Sequence, residues 1–142
     1  MAGMNTSRIL LGGVVAGLIM NISEAAVHAG ILGADASLLY ENLKLPLPDP
    51  AANIPFLIGA TFLLGITAVW LYAAIRPRFG PGPGTALIAG LAVWVLAHLW
   101  SGIYLANGLA GVVTARLAWI PVGTGLIEAV VGTLAGAALY KE

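Results

Sequence analysis

The sequence predicts an all-α integral membrane protein in which four helices cross the bilayer as one bundle. Of the 142 residues, 60% are hydrophobic and only 8% are charged, and the apolar residues fall into four long runs. Soluble domains carry about 25% charged residues, and about 20 apolar residues suffice for a helix to span the hydrocarbon core. Because backbone amides inside lipid must be bonded within their own segment, such runs are expected to be helical. We expect a single transmembrane domain over residues 1–142.

The four helices are expected at about residues 9–33, 54–75, 85–106 and 117–140. The first connection, residues 35–53, contains Pro46, Pro48 and Pro50. Proline lacks an amide donor and restricts the backbone, so this segment is predicted to be extended or turned, with Pro55 in the first turn of the second helix. The second connection, residues 76–84, is broken by prolines and glycines, and the third, residues 107–116, is rich in glycine.

Basic residues predict the orientation of the bundle. Four of them fall at one end of the predicted helices: Arg8, Arg76, Arg78 and Lys141. Lys44 and Arg116 fall at the other end. Because cytoplasmic loops carry the excess of lysine and arginine, we expect the N- and C-termini to be cytoplasmic.

Four ionisable residues lie inside the predicted spans: Glu24, His28, His98 and Glu128. A charged side chain at the centre of a membrane helix costs about 2.5–3.5 kcal/mol on insertion scales. Each of these residues therefore needs a bonding partner or a function, and each is a candidate site residue.

One face of the first helix and one face of the fourth are lined by small and polar residues. On the first helix they follow helical spacing: Gly13, Gly17, Asn21, Glu24 and His28. On the fourth helix they recur every four residues: Thr124, Glu128, Gly132 and Gly136. Glycines four residues apart let helices approach closely in lipid. We therefore expect the two faces to pack together, with these glycine pairs closing the cytoplasmic half.

The two faces also match in depth if the helices run antiparallel. Asn21 and Glu128 are each 13 residues from a flanking basic residue, which is about 20 Å along a helix. Glu24 and Thr124 lie about one turn further along, and His98 has a similar depth on the third helix. We expect Asn21 to meet Glu128 and Glu24 to meet Thr124. Two buried carboxyls one turn apart should not both be charged, so at least one should hold a proton.

Several classes of function are disfavoured by what the sequence lacks. It has no cysteine, which excludes disulfides and thiol catalysis, and its six basic residues balance six acidic ones, which gives no basic patch for nucleic acid. The Gly-x-Ser-x-Gly, His-Glu-x-x-His and phosphate-loop motifs are all missing. The sequence therefore predicts a non-enzymatic protein.

The same ionisable residues are candidates for binding a metal ion or a cofactor. Glu24 and His28 are four residues apart, and with His98 and Glu128 they would suit zinc or iron in principle. The diiron bundle pattern, with Glu-x-x-His on two helices, is missing, so we predict no metal site. His98 alone would suit the axial position of a haem or chlorin. The sequence does not identify a cofactor.

Two segments resemble a group of small, uncharacterised bacterial membrane proteins with four spans. They are GGVVAGLIMNISE, residues 12–24, and WLYAAIRPRFGPGPGTA, residues 70–86. The resemblance covers most of the chain and implies a multi-pass protein of the bacterial inner (plasma) membrane. The group has no assigned activity, so the resemblance carries over no catalytic residue. His28 is not part of the shared pattern.

Three functions remain open at the level of sequence. The first is a small accessory or structural subunit of a larger membrane complex, respiratory or photosynthetic, because loops are short and the helices are rich in small residues. The second is a self-associating proton or small-cation transporter or channel that uses Glu24 and Glu128. The third is a haem- or chlorin-binding bundle organised by His98. The expected partners are the lipid bilayer and other membrane subunits or further copies of the chain.

Overall fold

The computed structural model describes residues 4–141 and is built of helices. Their bounds are α1 Thr6–Gly30, α2 Gly33–Asn42, α3 Pro50–Phe79, α4 Pro83–Trp94, α5 Trp100–Gly108 and α6 Ala115–Ala138. A π-helical segment, Val95–Leu99, joins α4 to α5 without a break. Within residues 4–141, four helical stretches are long and apolar enough to cross a membrane: α1, α3, α4 continued into α5, and α6. The predicted all-α four-helix membrane bundle is confirmed.

Polar side chains immediately before three of the spans mark where these helices begin. The Asn5 side chain accepts a hydrogen bond from the Arg8 amide at 3.2 Å, and the Thr114 hydroxyl accepts one from the Leu117 amide at 3.1 Å. The Asp49 carboxylate accepts from the Ala51 amide at 3.0 Å. These caps satisfy amides that the first helical turn leaves without an intrahelical partner.

The first connection differs from its prediction. Residues 33–42 form α2, a short helix, instead of an extended or turned segment, while the proline-rich part up to Asp49 is non-helical. Long-range bonds hold α2 in place: the Thr114 hydroxyl donates to Asp35 at 2.7 Å, and the Asn42 side chain donates to the Val112 carbonyl at 2.9 Å. Such contacts are invisible to local sequence pattern, which explains the error.

The second span is longer than predicted at both ends. It begins at Pro50, whose missing amide costs nothing at the first helical position, so Pro55 lies inside the helix rather than in its first turn. At the other end α3 runs through Pro77 to Phe79 and stops at Gly80, which has φ +86°. A positive φ favours glycine, so the helix ends there and not at the preceding arginine–proline pair.

The helices pack with α1 between α3 and α6, and with α4 mainly on α6. Both ends of the described chain lie at one end of the bundle, where the Asn5 amide donates to the Tyr140 hydroxyl at 3.3 Å. We call this the terminal end and the opposite end, which carries α2, the α2 end. At the α2 end the Arg116 guanidinium contacts the Asp35 carboxylate at 3.3 Å.

Two different faces of α1 use glycines for close packing. Gly12 lies against Gly136, and a Cβ atom added at Gly132 would be 3.2 Å from the Ala16 carbonyl oxygen, so this face packs on α6. Gly13 and Gly17 instead lie against α3. The expected contact of these two glycines with Gly132 and Gly136 is wrong, because neighbouring residues on a helix point about 100° apart and serve different neighbours.

Candidate functional site

Three of the four ionisable residues that the sequence placed inside the spans meet between the helices. Glu24 of α1, His98 of the π-helical segment and Glu128 of α6 each offer one donor atom, and these atoms all lie within 4.8 Å of one another. His98 Nε2 is 3.4 Å from Glu128 Oε1. We call this group the Glu–His–Glu cluster. Ten residues, or about 15 Å of helix, separate His98 from the α2 end of its span, so the cluster lies deep in the bundle.

The meeting of Glu24 and Glu128 follows from how side chains lean. Gly12, Ala16, Met20 and Glu24 are spaced four residues apart and form one ridge of α1, which packs on α6. Gly12 lies opposite Gly136 and Ala16 opposite Gly132, so the same antiparallel spacing brings the backbone of Glu24 level with Thr124, as expected from sequence. Side chains lean toward the N-terminus of their own helix, and these two helices are antiparallel. The two carboxyl groups therefore converge across one helical turn.

His98 reaches the cluster because of two local features. It lies in the π-helical segment, where one extra residue per turn shifts the direction of side chains, a feature frequent at functional sites. Its imidazole also packs directly on Gly125 of α6, where an added Cβ atom would collide with the ring. The ring can therefore approach α6 only because residue 125 is glycine.

His98 Nε2 is a buried nitrogen without a hydrogen bond. Only 10% of the His98 side chain is exposed, and within residues 4–141 its Nε2 has no hydrogen-bond partner. The nearest carboxylate oxygen of Glu128 lies at 3.4 Å, where the geometry does not make a hydrogen bond. Unsatisfied buried polar atoms are rare in proteins and call for an explanation.

Exposure falls from His28 through Glu24 to Glu128. His28 Nδ1 is 2.8 Å from the Glu24 carboxylate, and the side chains of His28, Glu24 and Glu128 are 52%, 31% and 3% exposed. His28 is near the α2 end and lies outside the cluster. The carboxylate of Glu24 thus connects a surface histidine to the most buried acid.

Two of the polar residues that were expected to meet between the first and fourth helices, Asn21 and Thr124, do not join the cluster. The Asn21 side chain donates to the Gly17 carbonyl at 2.8 Å and to the Ile58 carbonyl of α3 at 3.5 Å. The Thr124 hydroxyl donates to the Ile120 carbonyl of its own helix at 3.0 Å. The expected pairs Asn21 with Glu128 and Glu24 with Thr124 are therefore wrong, since the helix faces and not depth alone decide the contacts.

Sequence reasoning missed two residues that complete the site. Gly125 supports the His98 ring, and Ser23 of α1 faces the Glu128 carboxyl. A usable signal was the spacing of Gly90, His98 and Gly102, which are eight and four residues apart and all lie against α6. That spacing would have oriented His98, whose direction was left open.

The geometry leaves little room for a haem or chlorin on His98, but it brings together possible ligands of a metal ion. A haem or chlorin on His98 Nε2 would need space close to the Glu128 carboxylate, which lies 3.4 Å from that nitrogen. The sequence predicted no metal site because the Glu-x-x-His pattern of diiron bundles is missing. The donor groups instead come from three helices, an arrangement that local spacing cannot reveal.

Comparison with protein-family models finds no match for this chain, and neither does comparison with curated proteins or with solved structures. Fold and site together define an all-α, multi-pass membrane protein with a carboxylate–histidine cluster between its helices.

Proposed function

We propose that this membrane protein transports a small cation, with Glu24 and Glu128 as its carriers. The observation that carries the proposal is the meeting of these two acids with His98 deep in the bundle. Acidic residues are costly in lipid, and those that persist there mostly pair with one another or mark an ion pathway. A bound cation would offset the charge that the two carboxyls concentrate in a low-dielectric site.

The exposure gradient supports entry from the α2 end. His28 and Glu24 are in contact at 2.8 Å, and the Glu24 carboxylate also belongs to the cluster that holds Glu128. Within residues 4–141, the ion-pair partners of both acids are histidines, and no lysine or arginine of that part neutralises them. An incoming cation therefore meets an accessible carboxylate first and a buried one second.

Flux through reconstituted vesicles tests the proposal. We expect the purified protein in proteoliposomes to move a cation down its gradient, followed with dyes selective for protons, monovalent and divalent ions. Glu128→Gln and Glu24→Gln keep the side-chain shape but remove the charge, so we expect each to abolish flux. Glu41→Gln, an exposed acid on α2, is the matched control. Wild-type protein that moves none of these ions, or Glu128→Gln protein with full flux, would contradict the proposal.

The cellular setting is part of the same proposal. The excess of basic residues at the terminal end supports cytoplasmic termini, and the four-span resemblance supports the bacterial inner membrane. Transport of this kind needs no catalytic group, in keeping with the predicted non-enzymatic role. A chain with this little interior would act as a self-associated assembly.

The accessory-subunit hypothesis stays a prediction from sequence. Large apolar side chains are exposed on α3, among them Phe56, Leu57 and Leu63. Surrounding lipid accounts for such a surface without any protein partner, so it favours neither hypothesis over the other.

A further inference from the structure

We infer that the cation of the Glu–His–Glu cluster is a divalent transition metal ion of the zinc type, bound by Glu24, His98 and Glu128. The inference rests on the proposed function in one respect, since it names the chemical class of the cation at the same site. The metal site itself does not require transport, and the experiments below separate the two.

The distances within the cluster suit a tetrahedral metal ion. Zinc binds imidazole nitrogen and carboxylate oxygen at about 2.0–2.2 Å, which places neighbouring donors of a tetrahedron about 3.3–3.6 Å apart. His98 Nε2 and Glu128 Oε1 are 3.4 Å apart. The Glu24 donor lies within 4.8 Å of both, so a small rotation of this partly exposed side chain completes the set.

The unsatisfied nitrogen of His98 points to a ligand in its own right. Its side chain is nine-tenths buried, and within the described chain Nε2 has no hydrogen-bond partner although a carboxylate oxygen of Glu128 lies only 3.4 Å away. A neutral imidazole nitrogen with a free lone pair is the commonest metal ligand in proteins. A metal ion between Nε2 and Glu128 Oε1 would satisfy both atoms at the separation they already have.

Charge and donor type select the class of ion. Two carboxylates carry two negative charges, and a divalent ion neutralises both, which a monovalent ion does not. Calcium and magnesium prefer all-oxygen coordination with six or more ligands, whereas imidazole suits zinc, iron, copper and nickel. Three protein ligands leave a fourth position open, as in zinc sites that exchange a ligand.

The surroundings hold the ligands in place. Gly125 supports the His98 ring, Ser23 faces the Glu128 carboxyl, and His28 contacts the Glu24 carboxylate at 2.8 Å. Such outer contacts orient metal ligands and tune their affinity. Each of the three ligands therefore has a neighbour of this kind.

Metal binding by the full chain in detergent tests the inference. We expect protein stripped with a chelator to bind one Zn²⁺ per chain, and to take up Co²⁺ with the strong visible absorption of a tetrahedral site. His98→Ala and Glu128→Gln are expected to lower Zn²⁺ affinity about a hundredfold or more, because a lost ligand costs at least as much as a lost outer contact. Glu41→Gln, the exposed control, should bind as wild type does.

X-ray absorption on Zn²⁺-loaded wild-type protein needs no variant to fold. We expect nitrogen and oxygen ligands at about 2.0–2.1 Å, including one imidazole. No Zn²⁺ bound above the detergent background, full affinity in folded His98→Ala protein, or a bound ion without imidazole would each overturn the inference. Zn²⁺ binding without flux of any ion would support the metal site and contradict the proposed transport. Flux of protons or of a monovalent ion that requires Glu24 and Glu128, in protein that binds no Zn²⁺, would support transport and overturn the metal site.

Discussion

Replacing Gly125 by alanine tests whether the support beneath His98 sets the geometry of the cluster. The added Cβ atom would lie 2.8 Å from Cε1 of His98 and closer still to two other ring atoms. Ordinary contact between carbon atoms needs about 3.5–4.0 Å, so the ring must move by roughly 1 Å. Metal sites tolerate deviations of only about 0.2 Å in ligand distance. We therefore expect Zn²⁺ affinity to fall about 10–100-fold, the range for a lost outer contact.

The matched control for Gly125→Ala lies two residues away on the same helix. A Cβ atom added at Gly123 would have no atom within 4 Å, so Gly123→Ala changes the composition of α6 without touching His98. Both variants are compared by Zn²⁺ titration in detergent, with helix content and thermal unfolding as checks on folding. Folded Gly125→Ala protein with wild-type affinity would refute the reasoning, because the ring would then not depend on the glycine.

Two further predictions concern packing and topology. Gly136→Ala places a Cβ atom against the backbone of α1, which cannot yield as a flexible side chain would, so we expect a loss of about 2 kcal/mol in unfolding free energy. Gly59→Ala, whose Cβ atom meets nothing within 4 Å, should be neutral or stabilising, and reversible unfolding in mixed micelles compares the two. Because the chain has no cysteine, single Ser37→Cys and Lys141→Cys variants report which end faces the cytoplasm. We expect a membrane-impermeant thiol reagent added outside the cell to label residue 37 and not residue 141, and the opposite pattern would reverse the proposed orientation.

The four spans were predictable because hydrophobic length acts locally. Each run of apolar residues, when helical, makes all its backbone hydrogen bonds within its own segment. It therefore needs no partner to be recognised as a membrane helix. The ends of helices were less predictable. α2 was missed because its Asp35 and Asn42 side chains are held by residues more than 60 positions away in sequence.

The members of the site were largely predictable, but their pairings were not. An ionisable residue in an apolar span is conspicuous, so Glu24, His98 and Glu128 stood out at once. The antiparallel contact of α1 with α6 also follows from the spacing of glycines and acids. Asn21 does not meet Glu128 because its side chain faces α3, where it donates to the Ile58 carbonyl. Glu24 meets Glu128 instead of Thr124 because side chains lean along the helix and converge one turn away from their own level.

The sequence by itself determined the class of this protein, its number of spans and the four ionisable residues that the membrane makes costly. All of these depend on the free energy of single segments in lipid, which composition reports directly. Only the tertiary structure decided that Gly12 and not Gly13 packs on α6, that His98 lies beside Glu128, and that Gly125 leaves room for its ring. These contacts depend on the rotation of each helix about its axis, which is set by close packing among all four spans and not by any one of them.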